Sequence, residues 1–152
     1  MKSLSGKLGV ILIGLAIFTC GEVRGADSIK EEHRLQERCG KDAENYFRRF
    51  YGTGYHKSYE GTSLFHYTTH YNRKLNKCFV LLMGELIPHN TEEMEKNGVT
   101  TDKELWDIND HMLYGWFFKF YESKKPVRCG VLGKDCHSES EWDSLVKPYM
   151  KE

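Results

Sequence analysis

The sequence lacks the charge excess and the short motifs that mark several classes of protein. Its 22 basic residues balance its 22 acidic ones, so there is no surplus of positive charge to neutralise phosphates, which disfavours a nucleic-acid-binding protein. It has no Gly-x-Ser-x-Gly elbow and no glycine-rich phosphate loop, the usual signs of a serine hydrolase and of a nucleotide-binding protein. The sequence therefore offers no positive argument for an enzyme.

Long apolar runs are scarce as well, and the one that is present lies near the N-terminus. Lys2 and Lys7 lead into an uncharged run over residues 8–18, which is shorter than the roughly 20 residues that a membrane-spanning helix needs. A basic start followed by an apolar run of this length is typical of a secretory signal peptide. We therefore predict a signal peptide over residues 1–25 and a single disulfide-bonded domain over residues 26–152, periplasmic or secreted.

Two other uses of this N-terminal segment remain open. One is an uncleaved membrane anchor, which the shortness of the apolar run disfavours. The other is a lipid on Cys20, since residues 17–20 loosely resemble a bacterial lipobox, and such a lipid would anchor the protein to a membrane. Small residues before Ala26 permit cleavage there, so we predict a free mature chain without a transmembrane span.

Cysteine is rare, but its number fits an exported protein. One of the five cysteines lies in the predicted signal peptide, and the remaining four are an even number that suits an oxidising compartment. Of the three possible pairings we predict Cys39–Cys78 and Cys129–Cys136, because two glycines inside the second pair let the chain turn back on itself. Structural zinc and covalent haem need closer cysteine spacings, so we expect no metal ligands and no cofactor.

Helical periodicity predicts one helix at each end of the domain. The first extends from about Ser28 to Phe50, with a Ser-x-x-Glu capping box at its start and an apolar stripe along one side. The second begins at a similar box at Ser138. We expect it to end near Pro148, whose nitrogen has no hydrogen to donate.

Between the helices, alternating and aromatic-rich segments predict four strands. They cover residues 63–71, 77–83, 105–109 and 113–121. The polar residues 88–101 are predicted to form a surface loop. The predicted fold class is α+β: a four-stranded antiparallel sheet with a long N-terminal helix packed on it and a short C-terminal helix.

Histidines are the first candidates for a metal or catalytic site. His66 and His70 are four residues apart, a spacing that brings two imidazoles together on a helix. On a strand the same spacing separates them by roughly 13 Å, which is too far for one metal ion. Since this segment is predicted to be a strand, we favour histidines that face solvent or hydrogen-bond within the sheet, and we assign no catalytic residue.

A second candidate cluster consists of Asp107, Asp110 and His111 at a predicted hairpin tip. Aspartate is common in turns because its carboxylate bonds to the nearby backbone. A calcium site needs about six to eight oxygens, more than this segment supplies. We therefore interpret the cluster as a turn rather than as a catalytic or calcium site.

Aromatic residues are abundant, and tyrosine is the most frequent of them. The chain has nine tyrosines, and tyrosine suits binding surfaces because its ring buries area while its hydroxyl stays hydrated. The alternative is that a small two-layer domain fills its core with these rings. The residues that we predict for ligand binding are Tyr55, Tyr59, Tyr67, His66 and His70.

Several segments resemble a group of small exported bacterial proteins without assigned function. The most specific is the Tyr-Asn-x-Lys-Leu-Asn-Lys-Cys-Phe stretch at residues 71–79. The other segments are Cys39 with residues 43–47, Cys129, Cys136 and residues 141–150. The resemblance implies a periplasmic or secreted domain with bridged cysteines, and it carries over no activity.

Binding is the function that the sequence favours. We predict an exported binding or accessory domain whose partner is an unidentified envelope protein or small ligand, not nucleic acid. One alternative is a small envelope enzyme that uses His66 or His70 with a carboxylate. Another is a structural or stress-related envelope protein.

Overall fold

The computed structural model describes residues 23–89, 92 and 98–151, and in this part of the chain one β-sheet carries a long helix on each face. The seven strands follow the order of the sequence, each antiparallel to the next. The strands are β1 (Tyr55–Lys57), β2 (Gly61–Asn72), β3 (Lys77–Pro88), β4 (Thr100–Asp107), β5 (Met112–Lys119), β6 (Arg128–Val131) and β7 (Lys134–Asp135). The helices are α1 (Val23–Tyr51) and α2 (Glu139–Met150).

The α+β class is confirmed, but the prediction of a four-stranded sheet is wrong. The four predicted strands correspond to β2–β5, whereas β1, β6 and β7 lie in segments for which no strand was predicted. These three strands have between two and four residues each, and β1 and β7 are exposed throughout. Backbone hydrogen bonds to a neighbouring strand stabilise them. Because such pairing does not require apolar and polar side chains to alternate, the sequence of these strands shows no strand pattern.

The strands β2, β3 and β4 are also longer than predicted, whereas β5 is slightly shorter. β3 continues to Pro88 and β4 already begins at Thr100, so both strands enter the predicted loop of residues 88–101, part of which lies outside the described residues. The first half of β4 carries the charged residues 102–104 in succession. Apolar alternation, the main signal of a strand, is therefore missing there.

α1 packs along one face of the sheet through the predicted apolar stripe. Cys39, Ala43 and Phe47 are buried against β2 and β3, as their recurrence on one side of the helix requires. The predicted start at Ser28 is wrong, because the helix already begins at Val23. Instead of capping a helix, the Ser28 hydroxyl interacts with a side chain of the β2–β3 turn.

Residues 1–22, most of the predicted signal peptide, lie outside the described residues. Cleavage before Ala26 and the alternative of a lipid on Cys20 therefore stay predictions. Among the described residues, no helix combines the length and the apolar character needed to cross a membrane.

α2 packs on the opposite face and extends further than predicted. Ser138 caps it as expected, since its side chain accepts a hydrogen bond from the backbone N–H of Glu141 (3.2 Å). The helix then continues through Pro148 to Met150. A proline so close to the end removes only one helical hydrogen bond. The buried Asn72 side chain donates to the carbonyl of Pro148 (3.0 Å), which attaches this last turn to the sheet.

Each face of the sheet has its own apolar core. The core under α1 contains Cys39, Ala43, Phe47, Tyr71, Cys78, Val80, Leu82 and Ile108. The core under α2 contains Phe79, Leu105, Tyr114, Phe117, Val131, Cys136, Trp142 and Val146. Burial on both faces explains why β3 is a nearly continuous apolar run.

Both predicted disulfides are confirmed. Cys39–Cys78 joins α1 to β3, with 5.4 Å between the Cα atoms. Cys129–Cys136 closes the β6–β7 hairpin, with 5.0 Å between the Cα atoms. The first bridge ties a helix to the sheet over a long stretch of chain, whereas the second closes a short loop at the sheet edge.

Candidate binding site

The α1 face of the sheet is divided into two ends by the point at which the helix stops. The part under α1 is here named the closed end; its sheet residues are Tyr71, Cys78, Val80, Leu82 and Ile108. α1 ends at Tyr51, whose ring centroid lies 4.9 Å from that of Phe65. The part from this contact outward is the open end; its residues are Ser63, Phe65, Gly84, Leu86, Thr100, Asp102, Phe118 and Phe120.

Four residues of the open end form one row across the sheet. The row consists of Phe65, Gly84, Asp102 and Phe118, each paired with the next, so the three side chains point to the same face. A Cβ atom at Gly84 would lie 2.8 Å from Cε1 of Phe65. The glycine therefore makes the space in which the phenylalanine ring lies on the sheet.

This row lies in a pocket of about 560 Å³. The side chains of Phe65, Leu86, Phe118 and Phe120 make its lining mainly apolar, and Ser63 adds a hydroxyl group. The rings of Phe118 and Phe120 meet edge to face, with centroids 4.8 Å apart. Sites for small organic ligands have volumes of roughly 300–1,000 Å³ and linings of this kind.

Asp102 is the acidic group of the row, and its surroundings oppose its negative charge. Partial burial raises the pKa of the Asp102 carboxyl, and the charge of Glu104 raises it further. Glu104 lies two residues along β4, where its carboxylate accepts a hydrogen bond from the indole Nε1 of Trp106 (2.7 Å). Asp102 has no comparable hydrogen bond or ion pair with any described residue.

Tyr51 lies at the boundary between the two ends. Burial is the main reason that the pKa of Tyr51 rises to about 12, and the charges of Glu104, Tyr46 and Asp102 add to the effect. The phenol is therefore neutral at physiological pH and keeps its proton for donation to an acceptor.

Among the described residues that line the pocket, the charged ones are acidic. Glu60, in the turn between β1 and β2, lines the pocket together with Asp102, and none of the described lining residues is Lys, Arg or His. Glu85 also borders the pocket, but its position in the β2–β3 register places its side chain on the α2 face. Arg128 lies one strand further out in the same row, where it is exposed and does not line the pocket.

The tyrosines predicted for ligand binding do not meet in one site. Tyr67 packs against Phe47 under α1, with 4.6 Å between the ring centroids. Tyr55 lies on the edge strand β1 and is 57% exposed, and Tyr59 is 99% exposed in the turn that follows. The structure thus divides them between the α1 core and the surface.

His66 and His70 share one face of β2, as their alternation predicts, and this is the α2 face. They lie opposite Met83 and Phe79, respectively, and their spacing along the strand is roughly 13 Å. Among the described residues, neither imidazole bonds to a carboxylate, and no group of three potential metal ligands occurs. The geometry therefore gives no support to the alternative of an enzyme that uses these histidines.

The cluster of Asp107, Asp110 and His111 forms a turn that one lysine stabilises. Oδ1 of the fully buried Asp107 accepts a hydrogen bond from the backbone N–H of Asn109 (3.1 Å). The ammonium group of Lys77 bonds to both aspartates, and these bonds raise the pKa of Lys77 and lower that of Asp110. This arrangement agrees with the interpretation of the cluster as a turn.

The segment that carries the resemblance to exported bacterial proteins, residues 71–79, has structural roles. It forms the turn between β2 and β3, in which the Tyr71 hydroxyl donates to Oδ1 of Asn76 (2.5 Å) and Asn76 takes a φ of 52°. Asparagine tolerates this left-handed conformation better than most residues do. The segment includes Cys78 of the first disulfide and ends at Phe79 in the core under α2, and none of its residues lines the open-end pocket.

Sequence patterns did not reveal the open end. Asp102 lies between the predicted loop of residues 88–101 and the predicted strand of residues 105–109, so nothing indicated that it would pair with a phenylalanine on the next strand. One signal was present at the end of β5, where Trp116 and Phe118 alternate and therefore share a face, and Phe120 follows directly after the strand. An aromatic stripe on the last central strand of a sheet is a reason to look for an uncovered surface.

The comparisons with known proteins do not add to these observations. No protein-family model, no curated protein and no solved structure matches the chain. The resemblance to small exported bacterial proteins stays a prediction, and the geometry of the pocket is the basis for assigning a function.

Proposed function

We propose that this protein is an exported binding module that holds a small apolar molecule in the open-end pocket. The observation that carries the proposal is the pocket itself, about 560 Å³ in volume and lined by Phe65, Leu86, Phe118 and Phe120. A ligand placed there removes apolar surface from water, both its own and that of the rings. Burial of this kind contributes roughly 25 cal/mol per Å².

The pocket is built on paired strands. Its floor and walls come largely from β2–β5, whose pairing continues into the open end. Side chains on paired strands lose little freedom when a ligand binds, so less of the binding energy is spent on ordering them. This rigidity supports a binding site that is formed before the ligand arrives.

Export is supported by two independent features. The bridges Cys39–Cys78 and Cys129–Cys136 are of the kind that persists in oxidising compartments. The basic and apolar N-terminal segment has the form of a signal peptide. We therefore assign the module to the periplasm or the extracellular space.

The binding proposal is tested by titrating the purified protein with N-phenylnaphthylamine, a neutral apolar dye that becomes fluorescent in an apolar site. The full chain is expressed in a bacterium and recovered from its periplasm with both disulfides formed. We expect a saturable increase in fluorescence that fits one site.

Two substitutions on β2 locate the dye. Ser63 faces the pocket and its neighbour Thr62 faces away from it, so Ser63→Phe should fill the pocket and abolish binding, whereas Thr62→Phe should leave binding unchanged. Equal binding to both variants, or no saturable binding to the wild type, would show that the pocket does not hold an apolar ligand.

A further inference from the structure

Among the described lining residues of the open-end pocket, all the charges are negative. Asp102 and Glu60 line the pocket, and Glu104 follows on the same face of β4. None of the described lining residues carries a positive charge. An anionic ligand would meet repulsion here, whereas a cation would meet opposite charge.

Asp102 has no partner of its own in the described part of the chain. Its neighbours in the row are Gly84 and Phe118, which offer no side-chain donor to its carboxylate. A partly buried carboxylate without a hydrogen bond is unfavourable, because it has lost some of its hydration without replacement. A ligand with N–H donors would replace that hydration with charge-assisted hydrogen bonds.

The aromatic rings of the pocket favour the same class of ligand. Phe65 and Phe118 are the two ends of the row that contains Asp102, and Phe120 contacts Phe118. The face of an aromatic ring attracts cations, most strongly where water is partly excluded. Rings and a carboxylate on the same wall therefore suit a molecule that is both apolar and positively charged.

From this combination we infer that the ligand of the open-end pocket is an apolar molecule with a protonated amino group, which Asp102 binds while Phe65 and Phe118 contact the apolar part. This inference rests on the proposed function, because it names the ligand class of the same pocket. A volume of about 560 Å³ accommodates one ring system with a short amine-bearing chain.

Three dansyl dyes that differ only in the group at the end of their alkyl chain test the inference. Dansylcadaverine ends in an ammonium group, N-hexyldansylamide ends in a methyl group, and dansyl-aminohexanoate ends in a carboxylate. We expect the ammonium dye to bind about tenfold more tightly than the neutral dye, as a charge-assisted hydrogen bond provides, and the carboxylate dye to bind more weakly than the neutral one. Binding is measured by dansyl fluorescence at low salt.

Substitution of Asp102 assigns the preference to one residue. In Asp102→Asn the shape of the side chain is kept and its charge is removed, so the ammonium and neutral dyes should bind with similar affinity. The control Asp135→Asn makes the same chemical change at an exposed site on β7 and should keep the tenfold preference.

The outcomes separate this inference from the proposed function. The neutral dye tests the apolar site: if it binds and Ser63→Phe blocks it, the proposed function is supported. If in that case the ammonium dye binds no better than the neutral dye, or Asp102→Asn keeps the preference, the inference of an amine ligand is wrong. If N-phenylnaphthylamine binds but the ammonium dye does not, the amine ligand alone is wrong. If neither N-phenylnaphthylamine nor any of the three dansyl dyes binds, both proposals fail.

Discussion

The closed and open ends of the sheet are made by the same strands, yet they are completed in different ways. At the closed end α1 covers Tyr71 and Ile108, and the Cys39–Cys78 bridge ties the helix to the sheet. At the open end the helix has ended, Phe120 is 48% exposed, and Asp102 has no partner among the described residues.

This contrast separates stability from binding within one sheet. An exposed ring and an unpartnered carboxylate both lower stability, and proteins keep such groups mainly where a site needs them. The closed end offsets that cost with burial and a covalent bridge, while continuous strand pairing keeps the open end ordered. The four changes below test this division, beginning with the largest expected effect.

Removal of the bridge at the closed end should have the largest effect. The Cys39→Ala, Cys78→Ala double variant loses a bridge with a sequence separation of 39, which on the loop-entropy model costs about 4 kcal/mol. The matched Cys129→Ala, Cys136→Ala variant loses a bridge with a separation of 7 and should lose about 2.5 kcal/mol. Urea unfolding measures the free energy of unfolding of both variants. A larger loss in the Cys129→Ala, Cys136→Ala variant would mean that the bridge at the closed end is not the more stabilising of the two.

The lysine of the turn at the same end of the sheet should come next. Lys77→Met leaves the buried carboxylate of Asp107 without its charged partner, which should cost about 1–3 kcal/mol. Asp107 keeps its bond from the backbone of Asn109, so the fold should survive. Chemical unfolding at neutral pH measures the loss of stability. If the denaturant midpoint of the variant equals that of the wild type, the ammonium group of Lys77 does not stabilise the fold.

Lys77 also predicts how stability depends on pH. It lowers the pKa of Asp110 below the ordinary value of 3.8. The stability from this pair is therefore complete above that value and is lost as the pH falls through the lowered pKa. Lys77→Met should lack this acid-dependent component, and identical acid profiles for the two proteins would contradict the assignment.

A methyl group in the open end should have a smaller effect on stability and a clear one on binding. Gly84→Ala places a Cβ atom 2.8 Å from the Phe65 ring, so the ring must move into the pocket, at a cost of about 1 kcal/mol. Dye affinity should fall several-fold. Gly40→Ala in α1 is the matched control: it meets nothing within 4 Å and should stabilise the helix by about 0.5–1 kcal/mol, with unchanged dye binding.

The smallest effect should be a gain in stability when the charge of Asp102 is removed. Burial and Glu104 raise the pKa of Asp102, so the folded state binds its proton more readily than the unfolded chain does. Stability therefore falls as the pH rises from the ordinary value of 3.8 through the raised pKa. Asp102→Asn should be slightly more stable than the wild type at neutral pH, and the gain should vanish in acid.

Thermal unfolding at the two pH values measures this difference. Glu104 and Tyr51 also face Asp102, and Arg128 lies in the same row, so Glu104→Gln serves as a check on the source of the effect. A loss of stability in Asp102→Asn at neutral pH would mean that the carboxylate has a favourable partner in the folded protein.

Local signals explain which parts of the fold were predictable. The stripe through Cys39 and Phe47 and the cap at Ser138 depend on residues a few positions apart, and both are present in the structure. The start of α1 at Val23 was not predictable in this way, because Ser28 has the composition of a cap whether or not the helix begins there. The same limit applies to the last turn of α2, where the bond from Asn72 to the carbonyl of Pro148 joins residues far apart in the sequence.

The candidate site was largely unpredictable for a related reason. Asp102 and Phe65 are far apart in the chain and become parts of one row only through the register of β2, β3 and β4. The tyrosines and histidines selected by residue type are instead divided between the two faces of the sheet and its edge. Residue type indicates what chemistry is available, but it does not show which side chains meet.

The sequence by itself determined the α+β class, the approximate positions of both helices and of the central strands, and the pairing of the four cysteines. The reason is that helical periodicity, helix caps and loop closure act over short distances or through a few special residues. Only the tertiary structure decided the number of strands, the end of the sheet that α1 does not cover, and the pocket. These depend on where α1 stops relative to strands that are paired across long separations, and on the absence of a side chain at Gly84, which allows Phe65 to lie on the sheet beside Asp102.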